Sequence, residues 1–151
     1  MGIQAKYVHT NIIAKDWQAL AQFYTEVFGC VLVPPERDLS GEALERGTSL
    51  PGAHLRGAHL RLPGYGDTGP TLEIFNYDPL AEEGNKAVNR PGYGHIAFLV
   101  EDIEAARALV LANDGKAIGE IVTTPVWTTG WLSWCYLTDP EGNVIELQVK
   151  K

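Results

Sequence analysis

The sequence predicts an α+β fold made of two tandem βαβββ modules. Two stretches share one pattern, HTNIIAKDWQALAQFYTEVFG from His9 and HIAFLVEDIEAARALVLANDG from His95, each with an Asp 7 residues and a Gly 20 residues after its His. Each stretch is followed by a strand-like segment with a central glutamate, Glu73 in GPTLEIF and Glu146 in GNVIELQ. Because both the His–Asp–Gly spacing and the strand glutamate are repeated, the sequence favours two copies of one module.

The first module begins with a predicted strand over residues 6–14, which are rich in β-branched side chains. Asp16 is placed to cap a helix because its carboxylate can accept from free N–H groups of the first turn. Apolar residues from Leu20 to Phe28 recur at helical spacing, and Gly29 suits the left-handed residue after the helix. Three short strands are predicted to follow, at about residues 30–33, 55–62 and 70–77.

The second module repeats this order. Residues 93–100 are predicted to form a strand, and Asp102 is placed to cap the next helix. The apolar residues from Ile103 to Val110 lie at helical spacing, and Gly115 is predicted to end that helix. Three strands are again predicted to follow, at about residues 117–122, 131–138 and 143–149.

The repeat predicts the organisation of the chain: a first module over residues 1–77, a linker over 78–92 and a second module over 93–151. The two histidines are 86 residues apart and the two glutamates are 73 apart, so the first module carries 13 additional residues. The additional residues fall in the segment 34–52, whose Pro, Gly and charge content predicts a loop.

Composition excludes several classes of function. With 12 basic and 19 acidic residues and a net charge of -7, the chain lacks the basic surface of nonspecific nucleic-acid binders and of proteins that bind anionic membranes. The sequence has no apolar run long enough to span a bilayer and no apolar leader at its start. The two cysteines have no CxxC spacing, which indicates a reducing compartment, and we expect a cytoplasmic protein.

Strand alternation places the repeated His and Glu residues on the faces opposite the aliphatic ones. A buried carboxylate needs a partner, because an unpaired buried charge is very costly. Taken singly, each of these residues is more simply a satisfied histidine or a solvated glutamate. As a set, two carboxylates and two neutral imidazoles would satisfy one another through a divalent cation, which predicts a metal site of His9, Glu73, His95 and Glu146.

Two other groups of residues are candidates for a site. The tandem pentapeptides in GAHLRGAHLR place His54 and His59 five residues apart, hence on opposite faces of an unbroken strand, and predict ordinary strand residues instead of ligands. Trp127, Trp131 and Trp134 are predicted to lie in the core or in a dimer interface, with an aromatic wall for a substrate as the alternative.

The sequence resembles the vicinal oxygen chelate superfamily, which includes glyoxalase I, bleomycin-resistance proteins and extradiol dioxygenases. The resemblance extends from Tyr7 to Val149 and is carried by HTNIIAKD, FYTEVFG, LEIFNYDP, GHIAFLVEDIEAA and YLTDPEGNVIELQ. It implies that the paired modules form a U-shaped, curved mixed β-sheet around a metal. The His-Glu-His-Glu order is most similar to glyoxalase I, and this likeness implies one ion of Ni, Zn, Co, Mn or Fe on these ligands: His9, Glu73, His95 and Glu146.

The likeness to glyoxalase I also implies an activity. It predicts a metal-dependent lyase or isomerase that removes a proton next to a carbonyl and forms a metal-stabilised enediolate, with Glu146 and Glu73 moving the proton. The substrate would be a small carbonyl compound or thiol adduct. Asn76 stands three residues after Glu73 where glyoxalase I usually has Asn four residues on, so it turns to the other face of the strand. The thiol-binding arginines have no clear match, so glutathione is not implied.

The resemblance leaves several alternatives open. A methylmalonyl-CoA epimerase-like isomerase would use the same enolate chemistry, but that family normally has Gln in place of Glu73. An extradiol-type Fe(II) dioxygenase needs two His and one carboxylate with open positions. A drug-sequestering protein of the bleomycin-resistance type typically lacks the four ligands. A homodimer is expected, with the metal site formed either within one chain or across two.

Overall fold

The computed structural model describes residues 2–126 and 130–150. The chain divides into two compact units, Met1–Glu82 and Glu83–Lys151. No helix in the described part of the chain is long and apolar enough to cross a membrane. The predicted α+β class and the repetition of one module are both confirmed by the order of the elements in the two units.

The first unit is a mixed four-stranded sheet with the order β1-β4-β3-β2, in which β1 and β4 are parallel and the other neighbours are antiparallel. Helix α1 packs against β3 and β4, where the aliphatic side chains of Leu60, Leu72 and Ile74 are buried. The bounds are β1 (His9–Ile13), α1 (Trp17–Phe28), β2 (Val31–Ser40), α2 (Glu42–Thr48), β3 (His54–Arg61) and β4 (Thr71–Asp78).

The second unit repeats the parallel pair, with sheet order β5-β9-β8-β6 and β7 paired to β8. Strands β5 and β9 are parallel, and α3 packs against β8 and β9. The single strand predicted at 117–122 is wrong, because two separate segments, β6 and β7, pair there with different parts of β8. The bounds are β5 (Ile96–Leu99), α3 (Ile103–Ala112), β6 (Lys116–Ala117), β7 (Val122–Val126), β8 (Gly130–Thr138) and β9 (Val144–Lys150).

Both predicted N-caps are confirmed. The carboxylate of Asp16 accepts from the N–H of Ala19 at 3.0 Å, and that of Asp102 accepts from the N–H of Ala105 at 3.0 Å. Gly29 adopts the left-handed conformation, with φ 68°, directly after α1. The local signals in the sequence therefore define where both long helices begin and where α1 ends.

Replacing Asp16 or Asp102 by alanine should each lower the free energy of unfolding by about 1 kcal/mol, because an N–H of the first turn loses its acceptor. Urea denaturation measures the effect. Asp16→Asn and Asp102→Asn keep a side-chain oxygen and should retain most of the stability. Equal losses in the Asn and Ala variants would mean that charge, and not the hydrogen bond, makes the contribution.

The loop predicted over residues 34–52 is wrong. Strand β2 runs through Pro34 and Pro35 to Ser40, and α2 follows it. The strand lies at the edge of the sheet, so no further strand needs the hydrogen bonds that its prolines cannot make. Its pairing with β3 shifts in register between Val33 and Arg37. The proline and charged residues of this segment, which usually indicate a loop, therefore belong to an edge strand here.

Gly115 does not end α3 as predicted. The helix ends at Ala112, Asn113 is its C-cap, and Asp114 is the residue with positive φ, 65°. A Cβ on Gly115 would lie 2.6 Å from the backbone oxygen of Thr138. It would also lie 2.5 Å from the Val110 side chain, so the glycine is required by the close approach of the chain to both α3 and β8.

Both cysteines are buried free thiols. Cys30 follows α1 and Cys135 lies in β8. Burial raises the pKa of Cys30 to about 11, and burial is also the largest cause that raises the pKa of Cys135. Both side chains are therefore neutral thiols at neutral pH and take no part in the site below.

Candidate functional site

The first unit gathers polar side chains on three adjacent strands, with β4 in the middle. Asn11 of β1 lies opposite Glu73 of β4 in the parallel ladder, and His9 lies opposite Thr71. On the other side of β4, His59 of β3 lies opposite Glu73 in the antiparallel ladder. The register alone therefore brings two imidazoles and one carboxylate together.

Glu73 is buried, with 9% of its surface exposed, but its carboxylate is well partnered. Asn11 donates from Nδ2 to Oε1 at 2.9 Å, and His59 Nε2 lies 2.8 Å from Oε2. His9 Nε2 is 3.6 Å from Oε1. These contacts compensate the cost of burying the carboxylate and fix its orientation.

His59 is held on both ring nitrogens. Its Nδ1 lies 3.0 Å from Thr71 Oγ1, and its ring meets those of His9 and Phe75 edge-on, with centroids 5.4 and 6.0 Å away. Burial lowers the pKa of His59 below its ordinary value, against the opposing effect of the Glu73 charge. The neutral imidazole, which is the form that binds metals, is thus favoured.

Among the described residues, His9, His59 and Glu73 form a group that could hold a metal ion. Each offers one ligand atom, and these atoms lie within 4.8 Å of one another. Metal–ligand bonds of about 2.0–2.2 Å place neighbouring ligand atoms about 3–3.5 Å apart. Small side-chain movements would therefore bring the three atoms to coordination distance.

The sequence predicts an ordinary strand residue at His59, and the structure places its Nε2 2.8 Å from the Glu73 carboxylate, in a group that could hold a metal ion. The prediction that His54 and His59 lie on opposite faces of the strand is confirmed, because His54 contacts a different pair of residues, Asp38 and Arg56. The missed signal is the symmetry of the β3–β4 hairpin about Gly66, from which His59 and Glu73 are equally distant in sequence. This symmetry can be recognised only when the pairing register of β3 with β4 is known. Alternation within one strand does not give that register.

The second unit pairs its own glutamate and histidine. Glu146 is buried, with 8% of its surface exposed, and its Oε2 lies 2.9 Å from His95 Nε2. Gln148 donates from Nε2 to Oε1 at 2.9 Å. The residue opposite Glu146 on β8 is Tyr136, whose ring lies 5.1 Å from that of His95 and 5.3 Å from that of Trp134. An aromatic surface thus adjoins His95.

Tyr136 takes the place in the second unit that His59 takes in the first. Burial raises the pKa of the Tyr136 hydroxyl, and the charge of Glu146 acts in the same direction. The phenol is therefore neutral at neutral pH and is a poorer metal ligand than an imidazole. Each unit brings together its predicted His–Glu pair, and only the first adds a second imidazole at the matching position.

The tryptophans predicted to cluster are only partly described. Trp131 is 53% exposed, which contradicts a place in the core. Trp134 donates from Nε1 to Thr124 Oγ1 at 3.3 Å. Trp127 lies outside the described residues, and the roles in a dimer interface or a substrate wall stay predictions.

Asn76 points away from Glu73, as its spacing predicts. Its Nδ2 donates to the backbone oxygens of Ala14 and Lys15 at 3.0 and 3.1 Å. The side chain therefore anchors the connection between β1 and α1 instead of facing the His–Glu cluster.

Asn76→Ala should lower the free energy of unfolding by about 1–2 kcal/mol, because two backbone carbonyls lose a donor. Bound metal per chain, measured by mass spectrometry of the purified protein, should not change. Asn76→Asp keeps the shape and removes the donors, so it should be destabilised as well. A loss of bound metal with unchanged stability would instead place Asn76 in the site.

Comparison with known proteins agrees with the fold. The family model described as "Glyoxalase/Bleomycin resistance protein/Dioxygenase superfamily" matches residues 6–147. No curated protein matches the sequence significantly. A glyoxalase family protein from Bacillus cereus is similar in structure, with a TM-score of 0.75, 22% identity and coverage of 99% of this chain and 95% of that one.

Two further solved structures share the fold at lower identity. A glyoxalase/bleomycin resistance protein/dioxygenase family enzyme from Burkholderia phytofirmans has a TM-score of 0.63 and 15% identity, with 97% of this chain and 100% of that one covered. The fosfomycin resistance protein FosX from Listeria monocytogenes, complexed with Mn(II) and sulfate, has a TM-score of 0.51 and 12% identity, with 100% and 95% covered. Because the family model covers nearly the whole chain, this protein belongs to the Glyoxalase/Bleomycin resistance protein/Dioxygenase superfamily.

Proposed function

We propose that this protein is a divalent-metal enzyme of the glyoxalase I type, which moves a proton at a carbon next to a carbonyl in a small substrate. One observation carries the proposal: each unit buries a glutamate beside its own histidine at matching places of the repeat. Glu73 lies beside His9 and Glu146 beside His95. Both glutamates are buried, with side chains 12% and 11% exposed, so both carboxylates are largely withdrawn from bulk water.

The side chains fit a divalent cation. Imidazole nitrogens and carboxylate oxygens suit Ni, Zn, Co, Mn or Fe, and ligand type alone does not choose among them. The proposed ligands are the two pairs, His9 with Glu73 and His95 with Glu146. A relative with this fold, the fosfomycin resistance protein from Listeria monocytogenes, was crystallised with Mn(II), which supports a metal in the family.

A bound cation would polarise the oxygens of the substrate and so acidify the neighbouring C–H bond. Glu146 or Glu73 would accept that proton on a carboxylate oxygen and return it to the adjacent carbon, so the substrate is isomerised without net oxidation. Asn11 donates to one oxygen of Glu73 and Gln148 to one oxygen of Glu146, while the second oxygens lie beside His59 and His95, and a cation would take the place of those imidazole contacts. The aromatic rings of Tyr136 and Trp134 provide an apolar surface for the rest of the substrate.

A hemithioacetal isomerisation assay tests this proposal. Metal-free protein is reloaded separately with Ni, Zn, Co, Mn and Fe(II), and adducts of methylglyoxal with glutathione and with other small thiols are supplied. Turnover by one loaded form, lost in Glu73→Gln and Glu146→Gln and kept in His54→Gln, is expected. Absence of turnover with every metal and every thiol would exclude the glyoxalase I reaction.

A second candidate is an extradiol-type Fe(II) dioxygenase. It is favoured by the composition of the first-unit group, two histidines and one carboxylate, which is the ligand set of many non-haem Fe(II) oxygenases. Ring cleavage of a catechol by the Fe(II)-loaded protein under O₂, followed by absorbance, would support it. Turnover of hemithioacetals without any catechol cleavage would exclude it.

A further inference from the structure

We infer that His59 completes, with His9 and Glu73, a three-ligand site that holds a divalent cation within the first unit and without His95 or Glu146. The inference builds on the proposed role of His9 and Glu73 as ligands. It adds a ligand to the proposed set and assigns retention of the ion to one half of the chain.

The spacing of the ligand atoms supports this site. His59 Nε2 and Glu73 Oε2 are 2.8 Å apart, and His9 Nε2 is 3.6 Å from Glu73 Oε1. Two neighbouring ligands on an ion with bonds of about 2.1 Å lie about 3.0–3.4 Å apart. Both histidines therefore lie close to ligand spacing from one carboxylate.

The surrounding residues orient these ligands as metal sites require. Thr71 Oγ1 lies 3.0 Å from His59 Nδ1, and Asn11 Nδ2 holds Glu73 Oε1 at 2.9 Å. A hydroxyl both donates and accepts, so Thr71 can take a hydrogen bond from Nδ1–H when Nε2 gives its lone pair to a cation. Support of the second ring nitrogen is a regular property of histidines that bind metals.

The contrast between the units assigns the ion to the first. Opposite its strand glutamate the first unit has His59, whereas the second unit has Tyr136 opposite Glu146. The second unit thus offers one imidazole where the first offers two. The side chain of His9 is 39% exposed, which gives an ion access to the group from solvent.

The test measures binding of Zn(II) and Co(II) to the full chain by calorimetry and by the visible spectrum of Co(II). The double variant His95→Ala/Glu146→Ala should still bind about one ion per chain. Adding His59→Ala to it should lower the affinity at least about 100-fold, because a direct ligand is lost. Adding His54→Ala instead is the matched control from the same repeat and should leave the affinity unchanged.

Two further variants separate a direct ligand from a general effect on folding. Thr71→Val in the double variant should weaken binding about tenfold by removing support of the His59 ring, and Thr71→Ser should restore it. His59→Asn keeps a polar side chain that does not reach the place of Nε2 and should lose the ion as His59→Ala does. Circular dichroism of each metal-free variant verifies that the fold is intact.

Each outcome decides between the proposals. Failure of the double variant to bind an ion that the parent binds would overturn this inference and leave the proposed function standing. Equal affinity with and without His59 would also overturn it. If the parent chain binds neither Zn(II) nor Co(II), this inference fails, and the proposed function is then decided by the isomerisation assay with Ni, Mn and Fe(II).

Discussion

Glu73→Ala should abolish both metal binding and proton-transfer activity, the largest functional loss expected of any single substitution in this chain. Glu73 belongs both to the proposed ligand pair with His9 and to the three-residue group of the first unit. Its removal should lower metal affinity at least about 100-fold, since even residues that only support a ligand contribute about 10–100-fold. Isothermal titration with Zn(II) and the isomerisation assay measure the two effects.

The control for Glu73→Ala must separate loss of a ligand from loss of stability. The substitution leaves the donors of Asn11 and His59 without their carboxylate and should cost about 1–3 kcal/mol of stability. Glu73→Gln keeps the volume and should fold well yet bind metal poorly. Asp38→Ala removes the exposed carboxylate beside His54 and should change neither property. Metal content equal to that of the parent in Glu73→Ala would contradict the ligand role.

Gly57→Ala should be the most destabilising small substitution in the first unit. Gly57 lies in β3 opposite Phe75, where an added Cβ would be 2.8 Å from the Phe75 Cα and closer still to the backbone oxygen of Ile74. Those atoms belong to the neighbouring strand and cannot move aside without separating β3 from β4. A loss of about 3 kcal/mol or more is expected, measured by urea denaturation.

Gly47→Ala is the matched control for Gly57→Ala. Gly47 lies in α2, and within the described residues no atom comes within 4 Å of the place its Cβ would take. Within a helix, alanine is more stable than glycine by about 0.5–1 kcal/mol. This variant should therefore be as stable as the parent or slightly more stable. A tolerated Gly57→Ala would mean that β3 and β4 can separate locally. Weakened metal binding in that variant would show that such a separation displaces His59 relative to Glu73.

The elements fixed by local chemistry were predictable from the sequence. Asp16, Asp102 and Gly29 act within one helical turn of themselves, and their roles agree with the prediction. The role of Gly115 is not predictable from the sequence, because it depends on the close approach of Val110 and Thr138 and not on its own conformation. The structure of the segment 34–52 is not predictable from its composition, because proline and charged residues are compatible with a strand at a sheet edge.

The candidate site was predictable to the extent that it repeats. Repetition identified His9 with Glu73 and His95 with Glu146, and each unit brings its pair into contact. His59 has no counterpart in the second unit, where Tyr136 takes its position, so repetition could not indicate it. Only the pairing of β3 with β4 places that imidazole on the carboxylate. The metal, the substrate and the predicted homodimer stay proposals for experiment.

The parallel pairing of β1 with β4 has a consequence for the order of events during folding. Asn11 and Glu73, which meet across these strands, are 62 residues apart, and the other strands of the unit lie between them in the chain. We expect such distant contacts to form late, because the entropy of closing a long loop opposes them. A cation would then join an already folded unit, slowing its unfolding while leaving the rate of refolding nearly unchanged.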